Sequence, residues 1–189
     1  QLVRLNNLRQ LAARGKLPTA LAWIADFLES GEPLVVFAEH ISTQKAVLER
    51  FPKALHILGS DTSVARQHAV DSFQAEDGPQ LIVCSLKAAS QGITLTRASN
   101  VAFLELDWTP ARHDQAEDRL HRIGQESAVT AWYLLAPDTI DETMAELLER
   151  KRSLIDAVTD GQVRDEERLV DAVVRELRGR PFRHLRVVA

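Results

Sequence analysis

Short stretches that are apolar at every position alternate along the chain with longer ones in which apolar residues return every three or four places. The short stretches PLVVFA (33 to 38), ALHIL (54 to 58), QLIVCS (80 to 85), NVAFLEL (100 to 106) and VTAWYLL (129 to 135) read as strands. Residues 18 to 30, 42 to 51, 62 to 76 and 110 to 123 carry the helical period, with Pro18 and Pro110 at or near first-turn positions that tolerate a missing N–H. Strands without a polar face, each separated from the next by a helix, predict a parallel sheet buried on both sides, an α/β fold. Periodicity makes Trp23 and Trp132 core anchors. After the last strand, APDTIDETMAELLERKRSLIDAVTDG predicts a long amphipathic helix with Asp138 or Thr139 as N-cap, acids in its first turn and Gly161 as its stop. A second helix follows over about 164 to 178. Neither is needed to complete the sheet, so both are expected to brace its edge or dock on a further domain.

Composition narrows the class. With 189 residues, 45% hydrophobic and 26% charged, the chain can bury a substantial core as one domain. The single cysteine, Cys84, excludes an internal disulfide, and its place in LIVCSL predicts a buried structural thiol in a reducing setting. There is no apolar stretch near the roughly 18 residues of a membrane span and no basic-then-apolar leader. An intracellular protein is expected, in the cytoplasm or nucleoid of a bacterium or the nucleus of a eukaryote, with no membrane partner. The six histidines show no metal spacing, and one cysteine cannot make a zinc knuckle. A net charge of −4 argues against a free-standing basic nucleic-acid binder, for which a pI above about 9 is expected. Basic residues do gather at the ends: Arg4, Arg9, Arg14 and Lys16 without an acid, and five arginines from Arg175 to Arg186 against Glu176. Either end could touch phosphate, but a solvated flank is the leading expectation. The opening QLVRLNNLRQLAARGK reads as a piece of something longer.

One stretch carries candidate chemistry. In QAEDRLHRIGQ, residues 115 to 125, a continuous helix would put Gln115, Arg119 and Arg122 at i, i+4 and i+7, within roughly 60° of one another. Ala116, Leu120 and Ile123 would face inward beside them, with Asp114, Glu117, Asp118 and His121 on the opposite flank. Guanidinium groups at the border of core and solvent suit an anion with several oxygens, such as a triphosphate. The alternative is an ordinary charged surface, paired with Glu117, Asp118 or Glu126. One helix alone leaves both open.

The neighbouring residues add to this. CSLKAASQGITLTRASNVAFLELDWTPARHDQAEDRLHRIGQ, residues 84 to 125, resembles motifs V and VI of superfamily-two helicases in the Swi/Snf group of DNA-translocating ATPases. LVVFAEH resembles that group's motif IV, GSDTSVARQHAVDSFQ (59 to 74) its Gly-Ser segment with a following arginine, and DTIDETMAELLERKRSL its bracing helix. The resemblance covers about residues 17 to 161, and Thr94 and Glu105, in place of the commoner Asn and Asp, put the chain nearest the annealing-helicase-like branch.

The resemblance implies a RecA-like C-terminal lobe over 17 to 137, flanked by residues 1 to 16, a bracing helix at 138 to 161 and a helix with a basic tail at 162 to 189. It implies that Arg119 and Arg122 are arginine fingers, with Gln115 and Gly92 on the nucleotide side. ATP and magnesium would be held mainly by a first lobe. No glycine here opens a GxxxxGK[ST] loop, and DET (141 to 143) and DEE (165 to 167) lie in helical patterns instead of at a strand end, so the chain alone is expected to be inactive as an ATPase. For double-stranded DNA the resemblance points to Glu39, His40 and Ser42, to Gly59, Ser60, Thr62 and Arg66, to Ser85 and Lys87, and to Trp108. Each has a plainer alternative: Ser60 and Thr62 as helix caps, Lys87 as a solvated lysine, Trp108 as core, Gly92 as the hinge of a tight crossing. AAS stands where motif V usually has paired glycines, which stiffens that loop. A DNA-repair or remodelling motor lobe, monomeric by itself, is the leading expectation, with a non-catalytic α/β interaction module as the alternative.

Overall fold

The computed structural model describes residues 2–89, 92–122, 125 and 127–159. Helix α1 (Leu2–Leu28) is followed by β1 (Leu34–Phe37), α2 (Ile41–Arg50), β2 (Leu55–Ile57), α3 (Ser63–Gln74), β3 (Leu81–Cys84), α4 (Leu86–Ala89), β4 (Asn100–Phe103), α5 (Pro110–Glu117), β5 (Thr130–Tyr133) and α6 (Ile140–Thr159). The five strands form one parallel sheet in the order β2-β3-β1-β4-β5, with Leu34 beside both Leu81 and Asn100 and Phe37 beside both Cys84 and Phe103. Central strands β1, β3 and β4 are buried at every position, as their unbroken apolar sequence requires.

Successive side chains go to opposite faces. Val35, Phe37, Ile82, Cys84, Val101 and Phe103 pack under α3 (Ala69, Val70, Phe73), α5 (Ala116) and the adjoining Leu95 and Leu120. Leu34, Val36, Leu81, Val83, Ala102 and Leu104 pack under α1 (Ala20, Ile24) and α2 (Val47). Phe37, Phe103 and Tyr133 form a ring stack at centroid spacings of 5.4 and 4.9 Å. Cys84 is fully buried, and burial pushes its thiol far above the ordinary value.

Three expectations are corrected. Helix α1 starts at Leu2, so Pro18 lies inside it and residues 2 to 16 are part of the packed structure instead of a flank. Two of their cations serve tertiary contacts. Lys16 Nζ lies 2.5 Å from Asp141 Oδ2 and donates to Leu134 O at 2.7 Å, both side chains of the pair being buried, while Arg9 donates to Leu106 O and covers the Trp108 ring. Local sequence hides this because the acid partner is 125 positions away. Trp132 is 39% exposed on edge strand β5, where it leans on the half-buried Trp23 at 5.5 Å.

The third correction concerns α5, which ends at Glu117 and not at residue 123. Arg119 N–H bonds Ala116 O and Leu120 N–H bonds Glu117 O, tight three-residue closures, and the Arg119 carbonyl accepts the Leu95 N–H at 2.8 Å. A carbonyl spent on another segment does not propagate the helix. At the start of α6, Thr139 Oγ1 accepts the Asp141 N–H at 3.2 Å, so Thr139 provides the cap, while Asp138 takes a left-handed turn at φ 58°. Gly161 and the helix expected at 164 to 178 lie outside the described residues.

Candidate functional site

The chain leaves β1 to β4 at the carboxyl edge of the sheet, where open α/β folds bind their ligands. Two groups of candidate residues assemble from these exits.

The first group is cationic. Arg119 is buried, 9% exposed, and its Nε has no hydrogen-bond partner among the described residues. Arg122 is exposed, and its Nη1 donates to Thr94 Oγ1 at 3.0 Å and approaches Gly92 O at 3.5 Å. Burial first, and then the neighbouring charge of Arg122, lower the Arg119 guanidinium from its ordinary value, with Asp118 acting in the opposite direction. Gly92 sits in the left-handed region at φ 78° with open space where a Cβ would point, so backbone conformation and not crowding selects glycine there. Gln115 is exposed on α5. Because α5 stops at Glu117, Gln115, Arg119 and Arg122 do not share one helical stripe. Ala116 and Leu120 are fully buried, as expected of the inward face.

The local-pairing alternative is unsupported among the described residues. Glu117 is engaged by Tyr133 and Arg152, neither Glu117 nor Asp118 forms an ion pair with Arg119 or Arg122, and Glu126 lies outside the description. Two adjacent guanidinium groups, one of them desolvated, form a place for a multiply charged anion.

The second group follows the loops after β1, β2 and β3. Glu105, at the end of β4, accepts four hydrogen bonds: from the Glu39 N–H at 2.5 Å, the His40 N–H at 3.1 Å, His40 Nδ1 at 2.9 Å and Thr43 Oγ1 at 2.6 Å. Burial pushes this carboxyl up, but the bonds from His40 and Thr43 outweigh it and hold it below the ordinary value. Lys87, largely exposed, lies 3.3 Å from Glu39 Oε1. Ser42, Gly59 and Ser60 are exposed, Ser85 is buried, and the Ser85 N–H bonds Ile57 O at 3.0 Å. Arg66 braces the turn after β2 by donating to Leu58 O at 3.1 Å and Gly59 O at 3.2 Å, and Thr62 caps α3 through the Ala65 N–H at 3.2 Å. Trp108 stands apart from this strip. It is half-buried beside Leu106, Met144 and Leu148 under the Arg9 guanidinium, and its carbonyl accepts Lys151 Nζ at 2.7 Å.

Two residues with larger roles than the sequence suggested are Glu105, first noticed only as a substitution, and Gln125, the last letter of the motif. Gln125 Nε2 donates to Ala98 O at 2.8 Å and Thr96 O at 3.1 Å, tying the end of the motif to the turn before β4. No local pattern announces Gln125. For Glu105 the available signal was a lone acid in an otherwise apolar strand. Glu105→Ala strands the four donors and is expected to lower unfolding free energy by about 3 kcal/mol, read as a shifted denaturation midpoint at constant slope. A loss under about 0.5 kcal/mol means that water replaces the carboxylate without cost.

His113, fully buried on α5, accepts the Asp107 N–H at Nε2 (3.0 Å), and its Nδ1 has no partner among the described residues. Burial lowers its affinity for a proton, helped by the charge of Arg152 and opposed by the contacts with Asp107 and the charge of Asp114. The folded value lies below the unfolded one of about 6.5, so the unfolded chain takes up a proton first as pH falls. Stability is therefore expected to decline below about pH 6.5, with a slope of at most about 1.4 kcal/mol per pH unit from this group, and His113→Leu should flatten that limb. An unchanged slope from pH 7 to 5 in the variant would count against it.

The helicase conserved C-terminal domain family matches residues 19–124, more than half of the chain. The human DNA annealing helicase and endonuclease ZRANB3 is 41% identical over 132 residues, covering 68% of this chain and 12% of its own length. The SWI/SNF-related matrix-associated actin-dependent regulator of chromatin subfamily A-like protein 1 of Xenopus tropicalis is 38% identical over 144 residues, covering 74% of this chain and 15% of its own. The crystal structure of the C-terminal part of the Fun30 ATPase domain superposes with a TM-score of 0.63 at 26% identity, over 67% of this chain and 44% of that one. The chain thus spans at most 15% of the length of these two sequence relatives. With the parallel five-stranded sheet and the motifs it carries, the chain belongs to the helicase conserved C-terminal domain family, as a RecA-like C-terminal lobe of the Swi/Snf type near the annealing-helicase branch.

Proposed function

We propose that this lobe is the second half of an ATP-driven double-stranded-DNA translocase, supplying arginine fingers to ATP cradled by a first lobe. The observation that carries the reading is the pair Arg119 and Arg122, close enough for the charge of one to act on the other, with Arg122 beside Gly92 and neither in ion-pair contact with a carboxylate among the described residues. In ATP hydrolysis, water attacks the terminal phosphorus in line with the departing ADP, and negative charge spreads over the equatorial oxygens. Guanidinium groups fixed in advance at those oxygens stabilise the transition state more than the ground state. Arg119, immobilised by burial, provides the fixed charge; Arg122, held lightly by Thr94, provides the one that swings to substrate. The arginine pair is cationic and offers magnesium no oxygen ligand. The ion would be held with the phosphates by the first lobe.

His40, Ser42, Gly59, Ser60 and Lys87 lie along neighbouring loop exits and would track one DNA backbone, with buried Ser85 supporting the strip through its bond to Ile57 O and Arg66 shaping the Gly59 turn, while Trp108 lies apart from this path. Contacts of this kind are sequence-independent, which fits an acidic protein that steps along DNA. Steady-state ATP hydrolysis by a two-lobe protein, with and without duplex DNA, tests the reading. Turnover indifferent both to duplex DNA and to loss of Arg122 would leave the chain a non-catalytic α/β module.

A further inference from the structure

We propose that α6 aims the arginine pair, with Arg152 as the positioning residue. The inference rests on the finger reading and adds to it a residue that touches neither ATP nor DNA.

Helix α5 has eight residues and cannot hold its own orientation, since isolated helices need about 12 to 15 residues to be even marginally stable in water. Its position is set from outside, and one turn of α6 grips it at both ends. At the head, Lys151 Nζ donates to Trp108 O at 2.7 Å, just before Thr109 and Pro110 start the helix. Toward the tail, Arg152 Nη2 donates to Asp114 Oδ1 at 2.9 Å and to the Tyr133 hydroxyl at 3.0 Å, and lies 3.5 Å from Glu117 Oε1. Tyr133 in turn donates to Glu117 Oε1 at 2.7 Å, and its ring lies under the Arg152 guanidinium, 5.8 Å from centroid to Cζ. Burial, and then the bond to Glu117, raise the Tyr133 phenol, so it remains a donor across the working pH range.

Glu117 is the last residue of α5, and Arg119 follows two positions later. The Arg119 amide hangs from Ala116 O, that of Leu120 from Glu117 O and that of Arg122 from Leu120 O, so a rotation of the α5 tail is passed to the backbone that carries both arginines. Arg152 is the one described side chain that joins Asp114, Glu117 and Tyr133 at once. All three contacts run through the single nitrogen Nη2, so an ammonium with its three donors can keep part of them. Loss of Arg152 leaves the fingers present but misaimed, a defect in the transition state and not in the binding of either ligand.

The test is DNA-stimulated ATP hydrolysis by a protein carrying both lobes, with kcat and the KM for ATP and for duplex DNA determined for Arg152→Gln, Arg152→Lys, Asp114→Asn and Arg122→Ala. Arg152→Gln is expected to lower kcat on the order of tenfold, since small misplacements of reacting groups are costly, while both KM values stay within about twofold. Arg152→Lys should recover part of the loss, and Asp114→Asn, at a surface position that does not threaten folding, should repeat the kcat-only defect at smaller size. If Arg122→Ala abolishes turnover while Arg152→Gln and Asp114→Asn leave kcat within twofold, the inference is wrong and the finger reading stands. If Arg152→Gln does not fold, Asp114→Asn decides by the same criterion. If Arg122→Ala is itself harmless, both readings fail together.

Discussion

Arg122→Ala in a protein carrying both lobes is expected to reduce DNA-stimulated ATP turnover by about 10³-fold or more, with little change in thermal stability. The size follows from what a finger does: it neutralises charge that appears only as the phosphoryl group transfers. Spared stability follows from the surroundings, because Arg122 is exposed and, among the described residues, its side chain is tethered by Thr94 Oγ1 and the Gly92 carbonyl. Arg119 is the poorer first choice for substitution, since its buried side chain mixes catalytic and packing losses. Steady-state hydrolysis at saturating ATP and duplex DNA gives the reading, and Arg122→Lys, which keeps charge but not the fork, should fall between alanine and the parent. Turnover of the alanine variant within a factor of two of the parent sinks the motor reading.

The largest expected stability change lies far from that site. Lys16→Met removes one half of a buried ion pair and leaves Asp141 with the Ala136 N–H at 3.1 Å but no counter-charge. A buried charge deprived of its partner costs about 3 to 5 kcal/mol, so a cooperative unfolding transition should move down by roughly 10 °C for a chain of this size. The double variant Lys16→Met with Asp141→Leu should recover much of the loss, because replacing both halves of a buried pair with apolar groups is often close to neutral. A single-variant loss below about 1 kcal/mol would return residues 2 to 16 to the status of a solvated flank.

These residues show where sequence reasoning reached and where it stopped. Unbroken apolar runs marked the strands because a parallel sheet buries both faces, and Leu34–Phe37, Leu81–Cys84 and Asn100–Phe103 are buried throughout. The resemblance to helicase motifs V and VI put Gly92 and Arg122 on one side of the lobe, and the Arg122 guanidinium does approach Gly92 O at 3.5 Å. Partners remote in sequence were not legible. Lys16 looked like a flank cation because Asp141 is 125 residues off, and α5 looked six residues too long because its terminator, the Leu95 amide, belongs to another segment. Trp132 was misjudged for a different reason: periodicity tells which way a strand residue points but not whether its strand lies at the sheet edge, as β5 does.

The Leu95 amide donates to the Arg119 carbonyl at 2.8 Å, across two segments of the chain. Together with Gln125 reaching back to Ala98 and Thr96, it ties the strip after Gly92 to the turn that carries the arginines. The backbone at Leu95 and that at Arg119 therefore shift together, while the exposed Arg122 side chain keeps its own freedom to turn. Whatever displaces one of these two segments is expected to carry the other with it.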